Sequence, residues 1–441
     1  MIGPSDPPRA DLPRAASARE SDPAPSVPPA PGTVASVLNP FDPEFRENPY
    51  PAYHRVRADD PIRRIDAFNL WMLSRYADVQ FVLRDPRFSS EPPPDDPTLF
   101  RNLRDEGGGL GPLARTMVQW MPLRDPPDHT RLRALVSKAF TPRAIESMRP
   151  RIQAIIDGLL DAVIDSGRMD LVRDFAHPLP VIVIAELLGV PVKSQERLKE
   201  WSDDIALAVD PLQAGTRRVE GDRATAAMLD LFRDVALERR KEPKDDLLSA
   251  LLAVEEAGDR LSMDELLATC VLLLFAGNET TTNLLGNGVL ALLRNPDQLA
   301  LLQRDPSLVR GAVEELLRYD GPLQFASRVA NEDLDLDGRA IRKGERMTLL
   351  LGAANRDPAQ FADPDRLDVR RKDIHHLAFG FGLHFCLGAG LARAEAHLAL
   401  DTLVRRLPGL RLGADPPVRR ASIALRGLSS LPVAFDPPHT R

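Results

Sequence analysis

The chain has 441 residues, a formal charge of -7 at pH 7 and 43% hydrophobic residues. That balance describes an ordinary helical globular core and leaves no basic footprint for nucleic acid. Two cysteines, Cys270 and Cys386, stand in unlike contexts, which argues against a disulfide framework and fits a reducing cytoplasm.

Residues 1–37 are rich in Pro, Ala, Ser, Asp and Arg and carry no apolar period, so they read as a disordered extension. No basic segment leading into an apolar run marks a signal peptide. The most apolar stretch, 266–277, falls short of the roughly 20 residues that cross a bilayer. Order is expected from Asn48-Pro49-Tyr50-Pro51, where a helix led by Pro51 carries Tyr53 and Val56. Residues 69–74 read as strand and 76–84 as a short helix stopped by Asp85-Pro86. Stretch 91–117 has Pro and Gly clusters without period, the mark of a long irregular loop that is functional or mobile.

Asp125-Pro126-Pro127-Asp128-His129-Thr130-Arg131-Leu132-Arg133 opens the next helix, with Asp125 as its expected cap. His129 and Arg133 are four apart and share a face; spacing alone favours a solvated basic face. Apolar spacing is helical over 143–167 and 179–188, with Gly189-Val190-Pro191 as a stop. Helices 194–209 and 216–240 follow, separated by the break 210–215.

Ser262-Met263-Asp264-Glu265 is a capping box and starts the longest helix, which ends near Asn295-Pro296. Its middle reads Ala276-Gly277-Asn278-Glu279-Thr280-Thr281-Thr282. A carboxylate and hydroxyls in a Leu-rich buried helix need partners. Gly277 costs about 1 kcal/mol of helix propensity relative to Ala, so an irregular turn is expected there. Two readings stand: a polar seam satisfied by water, or proton delivery through Glu279 and Thr280.

Glu315 and Arg318 form E-x-x-R, by itself a commonplace ion pair. The loop 321–328, strand-like pieces at 339–341 and 347–351, and the segment 422–428 follow. Then comes Phe379-Gly380-Phe381-Gly382-Leu383-His384-Phe385-Cys386-Leu387-Gly388, just before a helix expected to open near Leu391. Glycines at 380, 382, 388 and 390 can take positive φ and admit a flat ligand. A helix starting there aims free amides and its positive dipole end at the sulfur, favouring thiolate. Taken alone, one cysteine in a Gly-rich turn is more often a structural residue than a functional one.

The pattern F-G-x-G-x-H-x-C-x-G followed by Ala392 resembles the haem-binding signature of the cytochromes P450, of the soluble bacterial type. D-P-P-D-H-T-R-L-R, A-G-N-E-T-T and E-x-x-R, in this order, are similar to further motifs of that family. The resemblance covers about 48–437. It implies a mainly α fold with a small β region, a triangular prism holding haem between the long central helix and the helix after the cysteine loop. Residues 38–441 would then form a single domain, although length alone allows two or three.

Role by role, the resemblance implies Cys386 as axial iron ligand, with Phe379, Gly380 and Gly388 shaping its loop. His129, Arg133, Arg328 and His384 would meet the haem propionates. Ala276 and Gly277 would lie against the cofactor, with Glu279 and Thr280 as the catalytic acid-alcohol pair. Glu315, Arg318 and Arg366 would make the scaffold ion network, although Leu367 stands where Phe is usual. Leu323, Gln324, Phe325, Ile423 and Ala424 would line the substrate pocket, and the break 210–215 matches a mobile lid in position.

The implied activity is monooxygenation: hydroxylation or epoxidation of a hydrophobic small molecule such as a fatty acid, terpenoid, steroid or polyketide, using O2 and heme b. Electrons would come from NAD(P)H through a separate ferredoxin or flavodoxin and its reductase, since Cys270 cannot build a cluster alone. Arg131 and Arg393 are expected to steer that acidic partner. The chain would work as a cytoplasmic monomer, without membrane or nucleic acid. A haem protein that senses or sequesters a ligand without turnover is the alternative. A zinc or cysteine-nucleophile site built from His375, His376, His384 and Cys386 would leave the acid-alcohol pair and E-x-x-R without purpose.

Overall fold

The computed structural model describes residues 38–39, 42–66, 69–93, 110–191, 194–210, 213–254, 258–422 and 424–437. The expected N-terminal extension, residues 94–109 of the long loop and Ile423 lie outside the described residues.

Two short helices open the fold, α1 (Pro43–Glu47) and α2 (Tyr50–Asp59), each with proline in its first turn, where a missing N–H costs no intrahelical bond. Strands β1 (Ile62–Ile65) and β2 (Leu70–Leu73) then lead to α3 (Tyr76–Arg84) and β3 (Phe88–Ser89). Helices α4 (Pro112–Met117), α5 (Asp128–Ala139) and α6 (Pro142–Asp161) follow, then β4 (Arg168–Asp170) and α7 (Pro178–Leu187). Next come α8 (Gln195–Val209), α9 (Ala214–Lys241), α10 (Leu247–Ala253), α11 (Met263–Arg294), α12 (Pro296–Arg304) and α13 (Val309–Tyr319).

Strands β5 (Phe325–Ala330), β6 (Leu334–Leu336), β7 (Arg339–Ile341) and β8 (Arg346–Leu350) precede the single turn α14 (Leu351–Ala354). Helix α15 (Ala389–Arg406) follows the cysteine loop, and β9 (Arg411–Leu412), β10 (Val418–Arg419), β11 (Leu428–Ser430) and β12 (Pro432–Ala434) complete the described chain.

The largest sheet has the order β1-β2-β8-β5-β3. Only β2 and β8 run parallel in it, with Trp71 opposite Met347. A second sheet, β4-β12-β9, ties residues 168–170 to 432–434. One continuous apolar core joins α4 to α13 and α15. A smaller one lies under the first sheet around Leu73, Val79, Met347 and Leu377.

Helix α11 starts at the capping box: Ser262 Oγ accepts from the Glu265 N–H at 3.2 Å, and Glu265 accepts from the Ser262 N–H at 2.8 Å. The irregular turn expected at Gly277 does not occur, and α11 is helical through all 32 residues. Several of its polar side chains find partners sideways instead. Asn278 Nδ2 donates to Ser202 Oγ on α8 at 3.0 Å, and the Thr282 hydroxyl donates to the Ala176 carbonyl at 3.2 Å. Neighbouring elements thus supply the partners, so the backbone has no need to break.

Asp125 is not the cap of α5. That helix begins after Pro127 without a side-chain cap, and the Asp125 carboxylate instead takes the Ser89 hydroxyl and, at 2.9 Å, the Ser90 N–H.

Candidate active site

The cysteine loop is shaped by two glycines at positive φ, Gly380 (70°) and Gly382 (72°). A Cβ on Gly382 would stand 2.9 Å from the Leu83 carbonyl, so only glycine lets the loop lie against α3. Gly388 has an ordinary φ of -78° and serves as N-cap of α15, which starts two residues earlier than expected. Cys386 donates its N–H to the Phe379 carbonyl at 2.9 Å, and its side chain is exposed. Desolvation of the Cys386 sulfur within its loop pushes the thiol up and outweighs the Gly388 and Ala389 amides and the charges of Arg133 and Arg393, which pull it down. Helix α15 therefore presents its first amides to the sulfur.

His129 on α5 and His384 in the loop lie with ring centroids 4.2 Å apart. Each has a buried Nδ1 without a partner. Burial, His129 and Arg328 together push the His384 imidazole down to about 3. Arg328 on β5 is buried, and burial pushes its guanidinium down to about 10. Among the described residues its guanidinium makes one hydrogen bond, to the Ser327 carbonyl at 2.8 Å. A buried cation with no direct ion pair is costly; only the charge of Asp125 reaches Arg328 from a distance, and four donors converge here: His129, Arg133, Arg328 and His384. The haem implied by the resemblance brings two carboxylates, and this donor set fits them.

On α11, Ala276 is exposed amid a buried helix, and a Cβ on Gly277 would meet nothing within 4 Å. This face opens onto free space. The Thr280 hydroxyl donates to the Ala276 carbonyl at 2.8 Å, so donation to a reactant requires rotation of that O–H. Glu279 is buried and ion-paired: Oε1 accepts from Arg420 Nη1 at 2.5 Å and Asn283 Nδ2 at 3.2 Å, while Oε2 has no partner among the described residues. Sequence reasoning missed Arg420, whose only signal was its place near the segment 422–428.

The scaffold pair is fully buried. Arg318 makes two bonds to Glu315, 2.7 and 2.8 Å, and donates to the carbonyls of Asn355, Pro364 and Arg366. Arg366 contributes that carbonyl alone, and its side chain is exposed. The expected third cation is Arg371, whose Nε donates to Glu315 Oε2 at 3.1 Å. The segment crosses Glu315 five residues later than the motif suggested. Leu367, in the place usual for Phe, is buried in the core.

Of the pocket candidates, Leu323 forms a bridge with Leu425, and the Gln324 N–H donates to the Ala424 carbonyl at 3.0 Å. The Gln324 side chain points elsewhere: it is buried, accepts from the Tyr53 hydroxyl at 3.1 Å and donates to the Gly321 carbonyl at 2.8 Å. Phe325 packs with Tyr50, Tyr53, Leu350 and Ala353. Gln324 is thus a strut, removed from the pocket by the alternation of an extended segment. Arg131 and Arg393 are engaged inside the molecule. Arg131 pairs with Asp259 and Glu265; Arg393 forks onto Glu314 at 2.7 and 2.9 Å and lies 4.5 Å over the Phe379 ring. His376 also binds Glu314. Among the described residues no group of three or more His, Cys, Asp or Glu is placed to hold a metal, so the zinc arrangement does not assemble.

Comparison with known proteins agrees with this geometry. Residues 113–410 match the family described as Cytochrome P450. Cytochrome P450 CYP107DY1 of Priestia megaterium is 44% identical over 390 residues, 85% of this chain and 93% of its own. The 6-deoxyerythronolide B hydroxylase of Saccharopolyspora erythraea is 43% identical over 397 residues, 89% and 97% of the two chains. The crystal structure of P450BioI in complex with acyl carrier protein carrying hexadec-9Z-enoic acid superposes with a TM-score of 0.82 at 40% identity, covering 89% and 99%. With these relatives, the chain is placed among the haem-thiolate monooxygenases. The chain belongs to the cytochrome P450 family, whose members use haem and electrons from redox partners. Among the described residues no helix is long and apolar enough to cross a membrane.

Proposed function

We propose that this monooxygenase holds heme b through the Cys386 thiolate, with His129, Arg133, Arg328 and His384 on the two propionates. The observation that carries the reading is Arg328: a buried cation that, among the described residues, has no carboxylate within ion-pair distance and feels only the more distant Asp125, set beside two histidines with unpartnered buried nitrogens. Bound haem supplies the iron at which O2 is activated by two electrons. The chain's own residues do the rest. The Gly388 and Ala389 amides hold the sulfur's charge, Gly277 leaves room over the cofactor, and Glu279 with Thr280 passes protons toward that space. Arg393, stacked on Phe379, keeps that ring beside the cysteine loop.

The substrate is a hydrophobic small molecule of macrolide-precursor or long-chain acyl type, as the names of two relatives indicate for those proteins. It is hydroxylated next to the open face of α11, with Leu323 and Ala424 at the rim. Electrons arrive from a ferredoxin or flavodoxin served by an NAD(P)H-dependent reductase in the cytoplasm. Its docking face is the cysteine side, where Leu383 (45%) and Phe385 (39%) are exposed; Arg131 and Arg393, already paired, do not steer it.

The test is the carbon monoxide spectrum of the reduced protein. Wild type is expected to give the long-wavelength Soret band of thiolate-ligated haem, Cys386→Ala to lose it, and Arg328→Ala to retain the band while releasing haem faster to apomyoglobin. A haem spectrum indifferent to Cys386→Ala would mean another residue holds the iron; no haem uptake at all would overturn the reading.

A further inference from the structure

The C-terminal hairpin and the acid on α11 form a closed polar circuit. Arg420 Nη1 donates to Glu279 Oε1, and Asn283 Nδ2 donates to the same oxygen. The Arg420 N–H donates to the Gly427 carbonyl at 3.1 Å. Gly427 packs so tightly on Asn283 that an added Cβ would stand 1.8 Å from Asn283 Oδ1. The hairpin thus grips Glu279 from both strands, directly through Arg420 and indirectly through the side chain that Gly427 leaves room for. Among the described residues Glu279 Oε2 and Asn283 Oδ1 remain buried acceptors without partners.

The same hairpin is stitched to the pocket rim. The Arg426 N–H donates to the Pro322 carbonyl at 2.7 Å, the Gln324 N–H to the Ala424 carbonyl at 3.0 Å, and Leu425 bridges Leu323. Any ligand seated against Leu323 and Ala424 therefore presses on the element that fixes Glu279.

We propose that Arg420 is a positioning residue for the proton-passing acid: from the hairpin it holds Oε1 of Glu279, turns Oε2 free, and makes the acid's orientation depend on how the substrate rim is filled. This rests on the monooxygenase reading of Glu279. It assigns the hairpin arginine a role in proton supply that packing alone would not give. A carboxylate held by one oxygen keeps its second acceptor aimed, whereas a released one samples several rotamers and loses the fraction of time spent in line.

The experiment compares wild type with Arg420→Gln, Arg420→Lys and Asn283→Ala as haem-loaded proteins with surrogate redox partners. With Arg420→Gln, turnover to product is expected to fall on the order of tenfold at unchanged substrate dissociation constant. The share of NADPH electrons released as hydrogen peroxide should rise, and so should the solvent deuterium isotope effect. Arg420→Lys should recover most of the product share, and Asn283→Ala should shift both readouts in the same direction by less, without touching the ion pair. Thermal unfolding supplies a readout independent of turnover: Arg420→Gln lowers the midpoint, and Glu279→Gln combined with Arg420→Gln restores part of it. A wild-type product-to-peroxide ratio and isotope effect in Arg420→Gln would overturn the proposal while the carbon monoxide band still stands. Absence of that band in wild type would overturn the underlying reading, and this one with it.

Discussion

Arg371 and Arg366 carry the same charge five residues apart, yet only one reaches Glu315. Arg371→Ala would leave a fully buried carboxylate with one cation instead of two and is expected to cost about 1–3 kcal/mol. Arg366→Ala, at an exposed side chain, should stay within about 0.5 kcal/mol. Urea midpoints of the two variants check this. The E-x-x-R pair was legible because both partners lie on one helix turn. The third cation was not, because the path of the loop after Pro364 decides it.

Glu395 on α15 offers a second test. It is buried with Oε2 unpartnered, and burial pushes its carboxyl up to about 8. The unfolded chain releases this proton near pH 4.3, whereas the folded chain keeps it to about 8. Between those values the folded state binds more protons, so stability falls as pH rises through the window. Glu395→Gln, neutral in both states, should raise the unfolding midpoint by a few degrees at pH 7.5 and by little at pH 5.

Helix α11 shows where local pattern suffices and where it stops. Both ends follow from chemistry within a few residues, the Ser262 capping box and Asn295-Pro296. The polar centre announced that partners were needed, but the partners Ser202, the Ala176 carbonyl and Arg420 come from 76, 106 and 141 residues away. Gly277→Ala follows from the same geometry. Its methyl meets nothing within 4 Å and gains about 1 kcal/mol of helix propensity. The unfolding midpoint should rise while carbon monoxide rebinding after photolysis slows, since the methyl occupies the open face.

Helix α4 is held from outside as well. The Leu113 N–H donates to Asp222 on α9 at 3.0 Å, and Gly111 gives it no cap of its own. Asp222→Ala should speed hydrogen exchange of the amides of residues 113–117 and leave those of α11 unchanged, a difference mass spectrometry resolves.

Across the molecule, the buried Asp320 joins three remote stretches. It accepts from Tyr50 at 2.7 Å, Arg426 at 2.6 Å and Arg419 at 3.3 Å. Arg426 also donates to the carbonyls of Arg46 and Glu47. Burial alone would push the Asp320 carboxyl up, but Arg426 and Arg419 hold it well below the usual range. Its contribution is therefore complete above the ordinary aspartate value, about 3.9, and is lost as pH falls through the lower folded value. Asp320→Asn should lower the unfolding midpoint throughout pH 5–8, with the difference from wild type shrinking in acid below pH 4. The mainly helical fold and the order of its motifs could be read from short spacings. This junction could not, because a Tyr, an Asp and two Arg scattered over 370 residues leave no local period.

That junction also sets an order of events during synthesis. Residue 46 emerges from the ribosome early, and the arginine that grips its carbonyl is made 380 residues later. The strand at 432–434, which completes the sheet begun at 168–170, is later still. At about 5–20 residues per second, the amino-terminal helices wait on the order of half a minute for their anchor. A nascent chain stalled before residue 426 would therefore keep its first two helices without this anchor.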